Sequence, residues 1–337
     1  GDPNQCILDF SHVNPGVGGF VVTTTGTWTL KGLTFRNDDS SLATIRMTDG
    51  RLLLYDCILS NDGTDRGLDA VYLTSADSPA SGFFYNCLFF GYPNDCIGTG
   101  GDAGEASDRI VEAHYCTFRN VPDEGISAHE AGRTLLYFCR FERIGPDYAW
   151  AGGRTDGVAV GHGSVKNDTF FYNCTIRDCQ KAFYGCGSLL MSGCHIDVNT
   201  VALSASSEVD GDVTVENCII EAGRTGDVTN TAVLWWNNIA NPSNVSIRNN
   251  LIECPGDTRY IFVVAHPTGE DAELVFEDNL VYCTSSDPQR LIECAGDWRM
   301  RGNLIWAETE GYLGALMRNP SAGDTDILFE HNCIHIS

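Results

Sequence analysis

Acidic residues recur at one place in a repeating pattern, at the entrance to a short apolar stretch. They stand in Asn94-Asp95-Cys96-Ile97, Asp123-Glu124-Gly125-Ile126 and Thr155-Asp156-Gly157-Val158, with Leu68-Asp69-Ala70-Val71 opening the series. Later copies read Gln180-Lys181-Ala182-Phe183 and Asn199-Thr200-Val201-Ala202, and there the acids vanish. If each copy is one layer of a β-structure, carboxylates on adjacent layers lie about 5 Å apart and alternate ones about 10 Å apart. Those separations bracket the ones used to cleave glycosidic bonds with retention or inversion. Crowded like charges also raise one pKa, which sets an acid beside a base. Asp95, Asp123, Glu124 and Asp156 are therefore the candidate catalytic carboxyls. His129 and His162 each lie six residues after an acid (Asp123 and Asp156). His162 is assigned to proton movement and His129 to sugar hydroxyls. Tyr148, Trp150 and Arg154 fall in the longest insertion between repeats, where a binding loop is expected. For a lyase, Arg66, Arg154 or Arg133 would serve beside the stripe, with Ca²⁺ held by the acids. The competing reading carries equal weight for each Asp taken singly: an Asp before Gly or Ala at a strand entrance satisfies turn amides.

The elements that must position these groups come from a louder repeat. An apolar residue, two variable residues, a Cys or Asn, one more variable residue and an apolar residue return as FYNCLF at Phe84–Phe89, VENCII at Val215–Ile220 and FEDNLV at Phe276–Val281. The fourth position is Leu33, Cys57, Cys87, Cys116, Cys139, Cys174, Cys194, Cys218, Asn250, Asn279, Asn303 and Asn332. Its spacing runs from 20 residues (Cys174 to Cys194) to 35 (Cys139 to Cys174), a repeat with elastic loops. Three short apolar stretches per repeat fit one turn of a parallel β-helix. The sequence thus predicts an all-β fold, a right-handed parallel β-helix solenoid of about twelve coils forming a single domain over 1–337. The Asn column should bond from coil to coil, and Asn also tolerates the left-handed conformation a bend demands. The cysteines of the column should be packed free thiols behaving as small hydrophobes.

Composition limits the partners. The formal charge is −24, and only Lys31, Lys166 and Lys181 are lysine. A nucleic acid or an anionic membrane would need a basic face, so neither is expected, and no apolar run is long enough to insert into a membrane. Acid enrichment with few lysines resembles proteins of salt-loving organisms, the alternative being an ordinary acidic secreted protein. Of three glycosylation sequons, Asn167 and Asn244 are expected at the surface and Asn173 to be inaccessible.

With these coils in place, the chain resembles the pectate-lyase-like β-helix superfamily, which includes pectin and pectate lyases, polygalacturonases and viral tailspikes. Trp28-Thr29-Leu30-Lys31-Gly32-Leu33-Thr34-Phe35 is similar to a common early coil there. Thr155-Asp156-Gly157, Asn94-Asp95-Cys96 and Gly161-His162-Gly163 look like three polygalacturonase motifs, in a different order and without the family's Arg-Ile-Lys. The resemblance implies fold more than activity, because one architecture carries many functions. Together these readings predict a β-helix, extracellular or on a cell or virion surface, that binds an acidic or neutral polysaccharide. Whether it is a glycoside hydrolase or a polysaccharide lyase stays open, and no cofactor beyond Ca²⁺ is implied. The alternative is a non-catalytic adhesin, spike or structural module. Open coil ends are expected to be covered by a neighbouring domain or in a homotrimer.

Overall fold

The computed structural model describes residues 6–9, 19–22, 25–36, 43–61, 69–75, 80–101, 108–129, 132–145, 157–161, 167–185, 187–200, 202–205, 211–223, 234–236, 244–255, 262–264, 273–284, 290–294, 297–308, 315–318 and 326–337. Among them every regular element is a β-strand, in the expected all-β parallel solenoid. The chain divides into two compact units, Gly1–Asn167 and Asp168–Ser337.

Each coil passes through an entry sheet, a tight bend, an exit sheet and a third sheet. In unit 1 the entry strands include Arg51–Tyr55, Ser81–Tyr85, Ile110–His114 and Arg133–Tyr137. The exit strands include Leu33–Arg36, Ile58–Ser60, Leu88–Phe90, Thr117–Val121 and Arg140–Ile144. The third sheet runs Phe20–Val22, Ile45–Met47, Asp69–Ser75, Asp95–Gly101, Glu124–Ser127 and Val158–Gly161. Unit 2 repeats the plan, with exit strands such as His195–Val198, Ile219–Ala222, Leu251–Cys254, Leu280–Cys283 and Leu304–Ala307. Alternation sends every second side chain inward. Phe89, Phe118 and Phe141 are fully buried and stack face to face, with ring centroids 5.0 and 4.7 Å apart.

The repeated Cys/Asn position points into the solenoid and does the same work with two chemistries. Asn279 Nδ2 donates to the carbonyl of Ile247 at 2.9 Å and to Asn303 Oδ1 at 3.1 Å, while its Oδ1 accepts the backbone N–H of Asn250 at 3.0 Å. The expected amide ladder is present from Asn250 to Asn332. The thiols mimic it: Cys139 Sγ donates to the Ala113 carbonyl at 3.3 Å, and the N–H of Cys87 meets Cys116 Sγ at 3.4 Å. The described thiols of the column are free and buried. Burial holds the Cys116 thiol well above its ordinary range, with Cys139 and Cys87 adding to the shift, so it stays a donor.

The left-handed corner is not this residue but the one before it. Asp56, Asn86, Tyr115, Phe138, Asn173, Asn217, Asn249, Asp278 and His331 have φ between 52° and 55°. Turning the chain there is what aims the next side chain inward and the corner side chain out. Asn173, expected to be hidden, is therefore exposed. Asn167, expected at the surface, is fully buried, with Nδ2 donating to Thr134 Oγ1 at 3.1 Å and the Ala128 carbonyl at 3.4 Å.

Candidate active site

The acidic stripe is built at the strand entrances of the third sheet in unit 1. Asp95 pairs in register with Asp69. Ile97 pairs with Ile126, so two residues earlier Asp95 stands beside Glu124. The row is thus Asp69, Asp95, Glu124, one carboxyl per coil. Asp123 falls one residue ahead of it, and its carbonyl accepts the N–H of Val158; neither Asp123 nor Glu124 lines the cleft itself. The second position of the quoted column, which Glu124 shares with Asp69 and Asp95, is thus the one that the register brings together. Asp69, in the quoted column but not selected there, is the third member.

Local structure holds the row rigidly. Tyr92, fully buried beside the left-handed Gly91, anchors the approach to Asp95 by a 2.9 Å hydrogen bond between its hydroxyl and Thr44 Oγ1. Asn94 Nδ2 donates to Asp69 Oδ1 at 2.9 Å and to Asp95 Oδ2 at 3.0 Å, bridging two carboxyls. The N–H of Glu124 donates to Asp95 Oδ1 at 3.1 Å. Two glycines make room for the neighbours. A Cβ on Gly98 would stand 2.6 Å from Asp69 Oδ2, and one on Gly161 would collide with Glu124 Oε1. The bare backbone of the following coil is what makes room for the carboxylates of Asp69 and Glu124.

Asp69 and Asp95 line an open cleft of about 330 Å³ with Arg46, Tyr72, Asn94 and His129. Arg46, Tyr72, Gly98 and Ser127 occupy one register row on the outer face of the sheet. The Arg46 guanidinium sits 6.0 Å from the Tyr72 ring centroid. His129 is exposed at the rim, its Nε2 4.0 Å from Glu124 Oε2. Burial pushes the Asp95 carboxyl well above its ordinary pKa, and the charges of Asp69, Glu124 and Asp123 push the same way. The cleft therefore offers a carboxyl of raised pKa beside that of Asp69, with Glu124 next to it in the row and a cation, an aromatic ring and an imidazole at hand.

Of the residues selected from sequence, Asp95, Glu124 and His129 come together here. Asp156, His162, Arg154, Tyr148, Trp150 and Arg66 lie outside the described residues. Arg133 is exposed at the start of an entry strand, on another sheet from the cleft. Arg46, Tyr72 and Asn94 went unselected: Asn94 was signalled by its place in the acidic column, whereas Arg46 and Tyr72 meet only through coil register. The residues do not suit Ca²⁺. Among the described residues no three His, Cys, Asp or Glu side chains converge as ligands.

The family described as "Right handed beta helix region" matches residues 104–280. No curated protein and no solved structure matches the chain.

Proposed function

The chain belongs to the right-handed β-helix family, and from that premise we propose that it is a polysaccharide-binding β-helix of the cell exterior or virion surface whose unit 1 cleft hydrolyses a glycosidic bond. The observation that carries the reading is the Asp69–Asp95–Glu124 row with its raised central carboxyl. Asp95 gives its proton to the glycosidic oxygen as the bond to the anomeric carbon breaks. A carboxylate one coil away, about 5 Å along the sheet, attacks that carbon and forms a glycosyl ester. Water then opens the ester, returning its proton to Asp95. Arg46, Tyr72 and His129 line the path of the sugar.

A second reading has its own support. The Asn94 bridge and the Glu124 N–H bond to Asp95 also describe a row that only staples coils together, as in an adhesin or spike. The test is release of reducing ends from a panel of neutral and acidic polysaccharides by wild type, Asp95→Asn and Asp69→Asn. Cleavage by wild type with retained anomeric configuration, lost at least about a hundredfold in either folded variant, is expected. Glycan binding without cleavage of any substrate would establish the adhesin reading instead.

A further inference from the structure

The outer face of the exit sheet in unit 1 carries a groove of about 480 Å³ that is separate from the acidic cleft. Its floor is one register row: Ile58 pairs with Leu88, Leu88 with Thr117, and Thr117 with Arg140. From coil to coil that row changes from two aliphatic side chains to a hydroxyl and then to a cation. Asp56, Asn86 and Tyr115, the left-handed corner residues of successive coils, form the wall on the bend side. Arg119 and Glu142, which pair in register, form the opposite wall. Tyr115 is held against Phe138, with ring centroids 5.1 Å apart, and against Tyr85 at 5.6 Å, so it serves as a wall and not as a stacking surface.

The charges of this groove are not matched pair for pair. Arg140 is committed to Glu142: its Nε donates to Oε1 at 2.6 Å, and its Nη2 pairs with the same oxygen. Asp56 is engaged about 10 Å along the coils from Arg119, where its Oδ1 accepts Asn86 Nδ2 at 2.8 Å and its Oδ2 faces Lys31 Nζ at 3.9 Å. Arg119 is left over. Its register neighbour Glu142 is taken, its Nε is buried without an acceptor, and its guanidinium lies 5.3 Å from the centroid of the Phe90 ring. A cation drawn partly out of water against a ring is completed by an anion. The long-range field of a chain at −24 repels anions, so such a site has to offer its cation at contact and add apolar area. We propose that the groove binds a small amphipathic carboxylate, its head between Arg119 and the Thr117 hydroxyl and its tail along Leu88 and Ile58. The site is on another sheet from the carboxyl row and is independent of the cleavage assigned to that row.

Ligand-observed NMR titration of the whole chain with octanoate, octanol and acetate tests it. Octanoate should bind about tenfold more tightly than octanol, which lacks the charge, and than acetate, which lacks the tail. Arg119→Gln should weaken octanoate about tenfold and erase its advantage over octanol. Arg119→Lys should keep that advantage, which separates loss of the charge from loss of folding. Glu142→Gln releases Arg140 from its partner and should tighten octanoate, a gain that no unfolding can produce. Arg133→Gln, on the entry sheet, should change nothing. Equal affinity for octanoate and octanol, equal affinity for octanoate and acetate, indifference to Arg119→Gln, no gain from Glu142→Gln, or equal sensitivity to Arg133→Gln would each overturn the proposal. Asp95→Asn should leave this binding unchanged, so failure of the cleavage reading and failure of this one are told apart.

Discussion

Asp95 is a costly residue to bury. Its folded pKa lies above the ordinary value of 3.8, so above that pH the folded chain holds a proton that the unfolded chain has released. The stability it contributes is therefore complete in acid and is lost as pH rises through the elevated folded value. Asp95→Asn removes that dependence. Its melting temperature should match wild type near pH 4 and exceed it by roughly 3 °C at neutral pH, read from melts across the range. A difference that stays flat with pH would show that the carboxyl ionises normally. A site less stable than its neutral replacement is what a functional carboxyl looks like. The sequence exposes the acids through their column, in which Glu124 already stands level with Asp95. Arg46 and Tyr72 enter the cleft only once coils are stacked.

Strands and bends are more legible than the site they carry. The Cys/Asn position is readable because, from Cys57 onward, the interior beside the bend is filled by a small side chain able to bond backbone groups of the neighbouring coil. The left-handed corner is not readable, since Asp56, Tyr115, Phe138 and His331 share its conformation and little else. Asn279→Ala leaves the N–H of Asn250 and the carbonyl of Ile247 without their partner, and should cost about 3 kcal/mol. Asn279→Cys should cost less than half as much, because cysteines in earlier coils make the matching bonds at longer distance. Denaturant unfolding of the two variants checks the order. Equal losses would mean that the thiol contributes volume alone.

For the whole molecule, charge sets the limit on stability. With −24 on 337 residues, folding brings like charges together, and salt screens them. The melting temperature should rise steadily from low to molar sodium chloride, and more than it does in an uncharged osmolyte of equal osmolality. A salt-independent melting point would remove charge repulsion as that limit. At this scale the fold is plain from the period of the repeat alone, because a solenoid writes its architecture into spacing. Function is not, because one carboxyl row in a single unit is a small departure from a pattern that every coil obeys.

The ladder at the bends also has a direction. The side chain of each coil reaches back to satisfy the N–H and the carbonyl of the coil before it, as Asn250 does for Cys218 and Val215. A coil is therefore finished only by its successor. A chain leaving the ribosome from its N-terminal end closes each turn with the next one to emerge, so assembly has a built-in polarity in which the newest coil is always the one still waiting for its bonds.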